Sequence, residues 1–153
     1  MAAEEISSIV AIVARVVQAA AWDDLELAVV FGSAASGRLR PESDVDVFLR
    51  LDPRGPLSAD RRAELESALS SALRREVDLV VESPSTSVVL RREIAANGIP
   101  VHERETGAFK RFVVDAIHAY VDLEPQLRLF AEATRKRALR DGQAALDHLV
   151  NRR

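Results

Sequence analysis

The stretch Val29-Val30-Phe31-Gly32-Ser33-Ala34-Ala35-Ser36-Gly37-Arg38, followed by Ser43-Asp44-Val45-Asp46-Val47-Phe48-Leu49, decides the fold of this chain. A hydrophobic run stops at a Gly-Ser pair. After a short polar excursion a second hydrophobic run opens with two carboxylates separated by one residue. Side chains alternate along a strand, so Asp44 and Asp46 point to the same face and can share one ion. A glycine at a strand-to-helix turn lets backbone approach a ligand closely, and the N–H groups that open the next helix suit a phosphate.

Working outward, the residues before this stretch read as an amphipathic helix. Ile6, Ile9, Val10, Val13, Val16, Val17 and Ala20 follow helical spacing between Glu4 and Ala20. Leu25 to Phe31 is the first strand, and Ser33 to Ser36 a very short helix ended by Gly37. The second strand runs from about Asp44 to Leu51, and Asp52-Pro53-Arg54-Gly55-Pro56 is a loop. A helix from Ser58 to about Arg74 carries Leu65, Leu69 and Leu73 on one face. Glu76 to Val81 is a third strand, Thr86 to Asn97 a helix stopped by Gly98, and Ile99 to Glu103 a fourth strand.

Beyond Gly107 no strand signal appears. Phe109, Phe112, Val113, Ala116, Ile117 and Tyr120 make a helical stripe, Asp122 is placed to cap a further helix, and Pro125 falls in its tolerated first turn. That last helix carries Leu123, Leu127, Phe130 and Leu139 and extends past Gly142 towards Val150. The expected fold class is α/β (α+β): a small mixed sheet of about four strands flanked by helices. Residues 1–106 form the core, and residues 107–153 a C-terminal helical extension packing on the same domain.

At 153 residues the chain has the size of one domain. Its 48% hydrophobic and 29% charged residues exclude a disordered chain. Cysteine is absent, which rules out disulfides and thiolate metal sites and makes the cytoplasm the expected compartment. A net charge of −3 offers no general attraction to nucleic acid or to an anionic membrane, so any nucleotide is held by a local site. No apolar stretch is long enough to span a bilayer.

A third acid, Asp78, lies within an apolar strand, where a lone buried carboxylate is expensive. Three carboxylates on adjacent strands repel one another, and a divalent cation makes such a cluster tolerable. An all-oxygen set with no His or Cys nearby suits Mg²⁺ or Mn²⁺ better than Zn²⁺. Glu76 or Glu82 takes the place of Asp78 if the register differs. Arg38 is a candidate for the phosphates on the affinity of arginine for phosphate alone. His102, His118 and His148 show no ligand spacing, and Arg135-Lys136-Arg137 with Arg140 forms a basic face.

Gly32-Ser33, ten intervening residues, Asp44-Val45-Asp46 and a later strand-borne Asp78 resemble the minimal nucleotidyltransferases of the polymerase-β superfamily. By element order the resemblance extends over about residues 20 to 105, and the C-terminal helices are similar in character to those of the branch that serves as antitoxin to HEPN-domain toxins. It implies that Asp44 and Asp46 hold two Mg²⁺ ions bridging a triphosphate, and that Asp78 ligates one and helps to deprotonate the attacking hydroxyl. Gly32 and Ser33 would grip the terminal phosphates. In the toxin-antitoxin branch the nucleotide is ATP and the acceptor a tyrosine of the partner HEPN toxin. Two alternatives stand beside this: transfer to a small hydroxylated molecule of the aminoglycoside type, and a non-catalytic antitoxin acting by contact. Nucleic acid and membrane are not expected partners.

Overall fold

A computed structural model describes residues 2–38, 40, 43–53 and 57–150 of the chain. The elements run α1 (Ala2–Ala20), β1 (Leu25–Phe31), α2 (Gly32–Ala35), β2 (Val45–Leu51), α3 (Ala59–Leu73), β3 (Val77–Val81), α4 (Val88–Asn97), β4 (Ile99–Glu103) and α5 (Ala108–Val150). The strands form one mixed sheet in the order β3-β2-β1-β4. β1 pairs antiparallel with both β2 and β4, while β2 and β3 run parallel. The expected sheet of about four strands is therefore present. The expected loop at Arg54-Gly55-Pro56 lies outside the described residues, as does the side chain of His148.

β1 and β2 occupy the middle of the sheet and are covered on both faces, which explains why they read as unbroken apolar runs. One face presents Ala28, Val30, Val45, Val47, Leu49 and Leu79 to Ile9, Val13 and Val17 of α1 and to Leu65 and Leu69 of α3. The other presents Leu27, Val29, Phe31 and Phe48 to Ile94 of α4 and Phe112 of α5. A register shift between Leu25 and Leu27 puts Leu25 on the first face, out of strict alternation. Each fully buried Leu, Val, Ile or Phe contributes about 1.5–3 kcal/mol of transfer free energy, so these two layers dominate the stability of the sheet.

Local signals set the helix ends. Ser58 caps α3 by accepting from the Arg61 N–H at 3.2 Å, and Arg74 closes it in the left-handed conformation. Ser87 caps α4 through the Leu90 N–H at 3.1 Å. Gly98 follows α4 directly, where a Cβ would stand 2.4 Å from the Ile94 carbonyl oxygen and 2.6 Å from Val29 Cγ1. Only glycine lets α4 turn that tightly into β4 across the face of β1.

The C-terminal part corrects the sequence reading. In place of two helices, the second capped by Asp122 with Pro125 in its first turn, α5 is one helix of 43 residues with Pro125 inside it. Proline removes one backbone hydrogen bond, but Leu, Glu, Gln, Ala and Arg on either side are strong helix formers and carry the helix through. The chain divides into two compact units, one ending at Ile117 and one beginning at His118. The first contains the opening turns of α5, with Phe112 and Ala116 fully buried. In the second, Val121, Leu129, Phe130 and Leu139 are exposed, as are the basic residues Arg135, Lys136, Arg137 and Arg140. Among the described residues no helix is long and apolar enough to cross a membrane.

Candidate functional site

The site grows from one corner of the sheet. β1 ends at Phe31, whose register partner on β2 is Asp46, and Asp46 is in turn the register partner of Asp78 on β3. Two adjacent strands thus set their carboxylates side by side on the face shared with Phe48 and Phe112. Asp44 stands one residue before β2, on the same alternation as Asp46.

Immediately after Phe31 the chain turns at Gly32, whose φ of +68° is left-handed. A Cβ at Gly32 would stand 2.2 Å from Asp46 Oδ2, so the turn lies directly on the carboxylate. A β-carbon there would force the Asp46 carboxylate to move. The turn is held by its own residues: the Ser36 N–H donates to the Gly32 carbonyl at 3.1 Å, the Ser36 hydroxyl donates to the same oxygen at 2.9 Å, and the Arg38 N–H donates to Ser33 at 3.2 Å. The Arg38 guanidinium also comes back onto the turn, with Nε donating to Ser36 Oγ at 3.2 Å.

Burial falls unevenly on the acids. Asp46 is half-buried, whereas Asp44 and Asp78 are exposed, which corrects the expectation of a buried Asp78. The energetic cost of the cluster therefore sits on Asp46. Partial burial raises its carboxyl above the ordinary value, and the like charges of Asp78, Asp44 and Glu93 push it further in that direction. Glu93, on α4, is an acid that sequence reasoning missed. Its place in the chain carries no signal, because only the packing of α4 over the sheet brings it towards Asp46.

With Asp78 the register partner of Asp46, the other acids considered from sequence flank β3 at its two ends. Glu76 precedes β3, and its carbonyl accepts from the Val45 N–H at 3.0 Å. Glu82 takes a two-point hydrogen bond from Arg50, one arm of it Nη2 to Oε1 at 3.0 Å, and pairs with Arg91 Nε at 3.3 Å. Both guanidinium groups lie over the Phe112 ring, 5.0 Å and 5.7 Å from its centroid. His102 faces the Leu25 carbonyl at 3.3 Å, and His118 is exposed.

As a metal centre the corner is incomplete by geometry. Among the described residues, no three His, Asp or Glu side chains converge closely enough to hold an ion. The donor chemistry nevertheless fits a hard divalent cation, because every acid at the corner offers only oxygen and their mutual repulsion is what such an ion relieves.

The strand that ends just before Gly32-Ser33, the paired strand carrying Asp46 and the third strand bringing Asp78 into register all lie within the segment matched by a family model. The model described as polymerase beta, nucleotidyltransferase, covers residues 16–107. The chain belongs to this nucleotidyltransferase family. Solved structures agree with the assignment. A toxin-antitoxin structure with AMP-PNP superposes with a TM-score of 0.67 at 25% identity, covering 82% of this chain and 97% of that one. The MntA-HepT toxin-antitoxin superposes at 0.59 with 24% identity, over 78% of this chain and 91% of that one. The tri-AMPylated Shewanella oneidensis HEPN toxin in complex with MNT antitoxin gives 0.61 at 23% identity, over 88% and 98%, and shares the nucleotidyltransferase fold. No curated protein matches the chain.

Proposed function

We propose that this nucleotidyltransferase is a protein adenylyltransferase: it transfers AMP from ATP to a hydroxyl of a cognate HEPN-domain toxin, a tyrosine side chain, and so acts as the antitoxin of the pair. The observation that carries the reading is the Gly32 turn lying on Asp46 while Asp46 stands in register with Asp78. A phosphate-gripping backbone and a pair of carboxylates then share one corner. The likeness to a toxin-antitoxin structure holding AMP-PNP supports both the nucleotide and the partner.

In this reading Gly32 and Ser33 hold the terminal phosphates through backbone N–H groups, Gly32 itself bringing no side chain to the turn. Asp44, Asp46 and Asp78 would hold Mg²⁺, which when bound supplies the positive charge that draws the triphosphate to three acids and stabilises the pentavalent phosphorus. Asp78, exposed and beside Asp46, accepts the proton of the attacking hydroxyl. The hydroxyl oxygen bonds to the α-phosphorus, the bond to the bridging oxygen of the β-phosphate breaks, and pyrophosphate leaves. The cytoplasm, where ATP is available, is the compartment this chemistry needs.

Pyrophosphate release tests the reading. With ATP, Mg²⁺ and the cognate toxin present, release is expected to rise with toxin concentration and to stop when the acceptor tyrosine is replaced by phenylalanine. Tight complex formation with no pyrophosphate released from any nucleotide would replace transfer by neutralisation through contact.

A further inference from the structure

Arg38 and Ser36 make a connected chain of hydrogen bonds that ends on the Gly32 carbonyl. Its direction is fixed by chemistry. Arginine Nε carries a proton and no lone pair, so across the 3.2 Å contact Arg38 donates and the Ser36 hydroxyl accepts. The single hydroxyl proton is then left for the Gly32 carbonyl at 2.9 Å, which also takes the Ser36 N–H at 3.1 Å. Hydrogen bonds linked in this way polarise one another in a common sense. Both bonds to Gly32 close the turn that lays this residue on Asp46 Oδ2.

We infer that Ser36 and Arg38 are positioning residues for the nucleotide, Arg38 acting through the Ser36 hydroxyl to hold the Gly32–Ser33 turn against Asp46. The inference rests on the turn being the phosphate grip proposed above. It assigns Arg38 a task other than direct contact with phosphate, and it gives Ser36 a role that a sequence reading passes over as loop. Removing either group releases the same constraint, so their effects on nucleotide binding are shared and do not add.

The test is a double-mutant cycle on the full chain, with AMP-PNP and Mg²⁺ titrated by calorimetry and folding verified by thermal melting. Ser36→Ala and Arg38→Gln are each expected to weaken binding about fivefold, and the double variant no more than either single one. Ser36→Thr, which keeps the hydroxyl, is expected to bind like the wild type. Effects that multiply in the double variant would mean that Arg38 touches the ligand itself, and would overturn the inference, as would unchanged binding by Ser36→Ala. Amide hydrogen exchange without nucleotide separates this inference from the functional reading. Faster exchange at the amide of residue 36 is expected in both single variants, and unchanged exchange would overturn the positioning role. Faster exchange in both variants beside wild-type protein that binds no AMP-PNP would sink the phosphate-grip reading alone.

Discussion

Gly32 and Asp46 are packed so closely that a β-carbon on the first would stand 2.2 Å from Oδ2 of the second, 3.1 Å from Cγ and 3.5 Å from Cβ. Gly32 directly follows β1 and Asp46 lies on the neighbouring β2, fourteen positions apart in the chain, yet they form one surface. The carboxylate would have to move to admit a side chain, and the turn needs a left-handed φ of +68° besides.

Gly32→Ala is therefore expected to fail twice over. The left-handed backbone is strained by roughly 1–3 kcal/mol, and the new methyl drives the Asp46 carboxylate out of place. A displacement of about 1 Å at the reacting centre costs roughly 100-fold in rate. Denaturant unfolding and transfer kinetics on the same preparation check both effects.

Asp46→Asn separates stability from activity. Because burial and the neighbouring charges of Asp78, Asp44 and Glu93 raise the Asp46 carboxyl in the folded state, the folded protein binds this proton more tightly than the unfolded chain does. The stability tied to that proton is present below the unfolded value of 3.8 and is lost as pH rises through the higher folded one. Asparagine carries no charge to penalise, so the variant is expected to melt higher than wild type at neutral pH, with the gain shrinking towards pH 4 or below, while transfer becomes undetectable. Melting curves across the acid range measure this, and an equal gain at all pH values would contradict it.

Glu82→Gln tests the ion-pair cluster on the same face of the sheet. Glu82 bridges Arg50 and Arg91, which both stack on Phe112, and the side chains of Glu82 and Arg50 are only 16% and 21% exposed. Removing the charge leaves two partly buried cations side by side. A loss of about 1–3 kcal/mol is expected in urea unfolding, and Arg91→Met in the Glu82→Gln background is expected to recover part of it.

Phe112→Ala removes the ring on which both guanidinium groups rest and which meets Phe48 at 5.2 Å between centroids. Phe112 is fully buried, so the expected cost is about 3–5 kcal/mol, read as a fall in the denaturation midpoint.

Much of this architecture is legible in local pattern. β1 and β4 fall at Leu25–Phe31 and Ile99–Glu103, where apolar runs end at Gly32 and begin after Gly98, and the cap residue Ser58 announces α3. The Gly-Ser turn and the Asp-Val-Asp strand were visible for the same reason, since their chemistry lies within fifteen consecutive residues. Long-range relations were not visible. Glu93 approaches Asp46 only because α4 crosses the sheet, and Glu82 meets Arg50 only because β2 and β3 pair in a parallel register that brings residues 46 and 78 together. Asp122 and Pro125 misled in the opposite direction: together they read as the start of a new helix, whereas helix-forming neighbours on both sides carry one helix through them.

The central claim is that the corner formed by Gly32, Asp46 and Asp78 moves AMP onto a partner protein. Intact-mass spectrometry of the cognate HEPN toxin, after incubation with this chain, ATP and Mg²⁺, measures that most directly. Mass increments of one AMP or more on a toxin tyrosine are expected with wild-type protein and none with Asp46→Asn. Unmodified toxin with the wild type, or equal modification by Asp46→Asn, would contradict it.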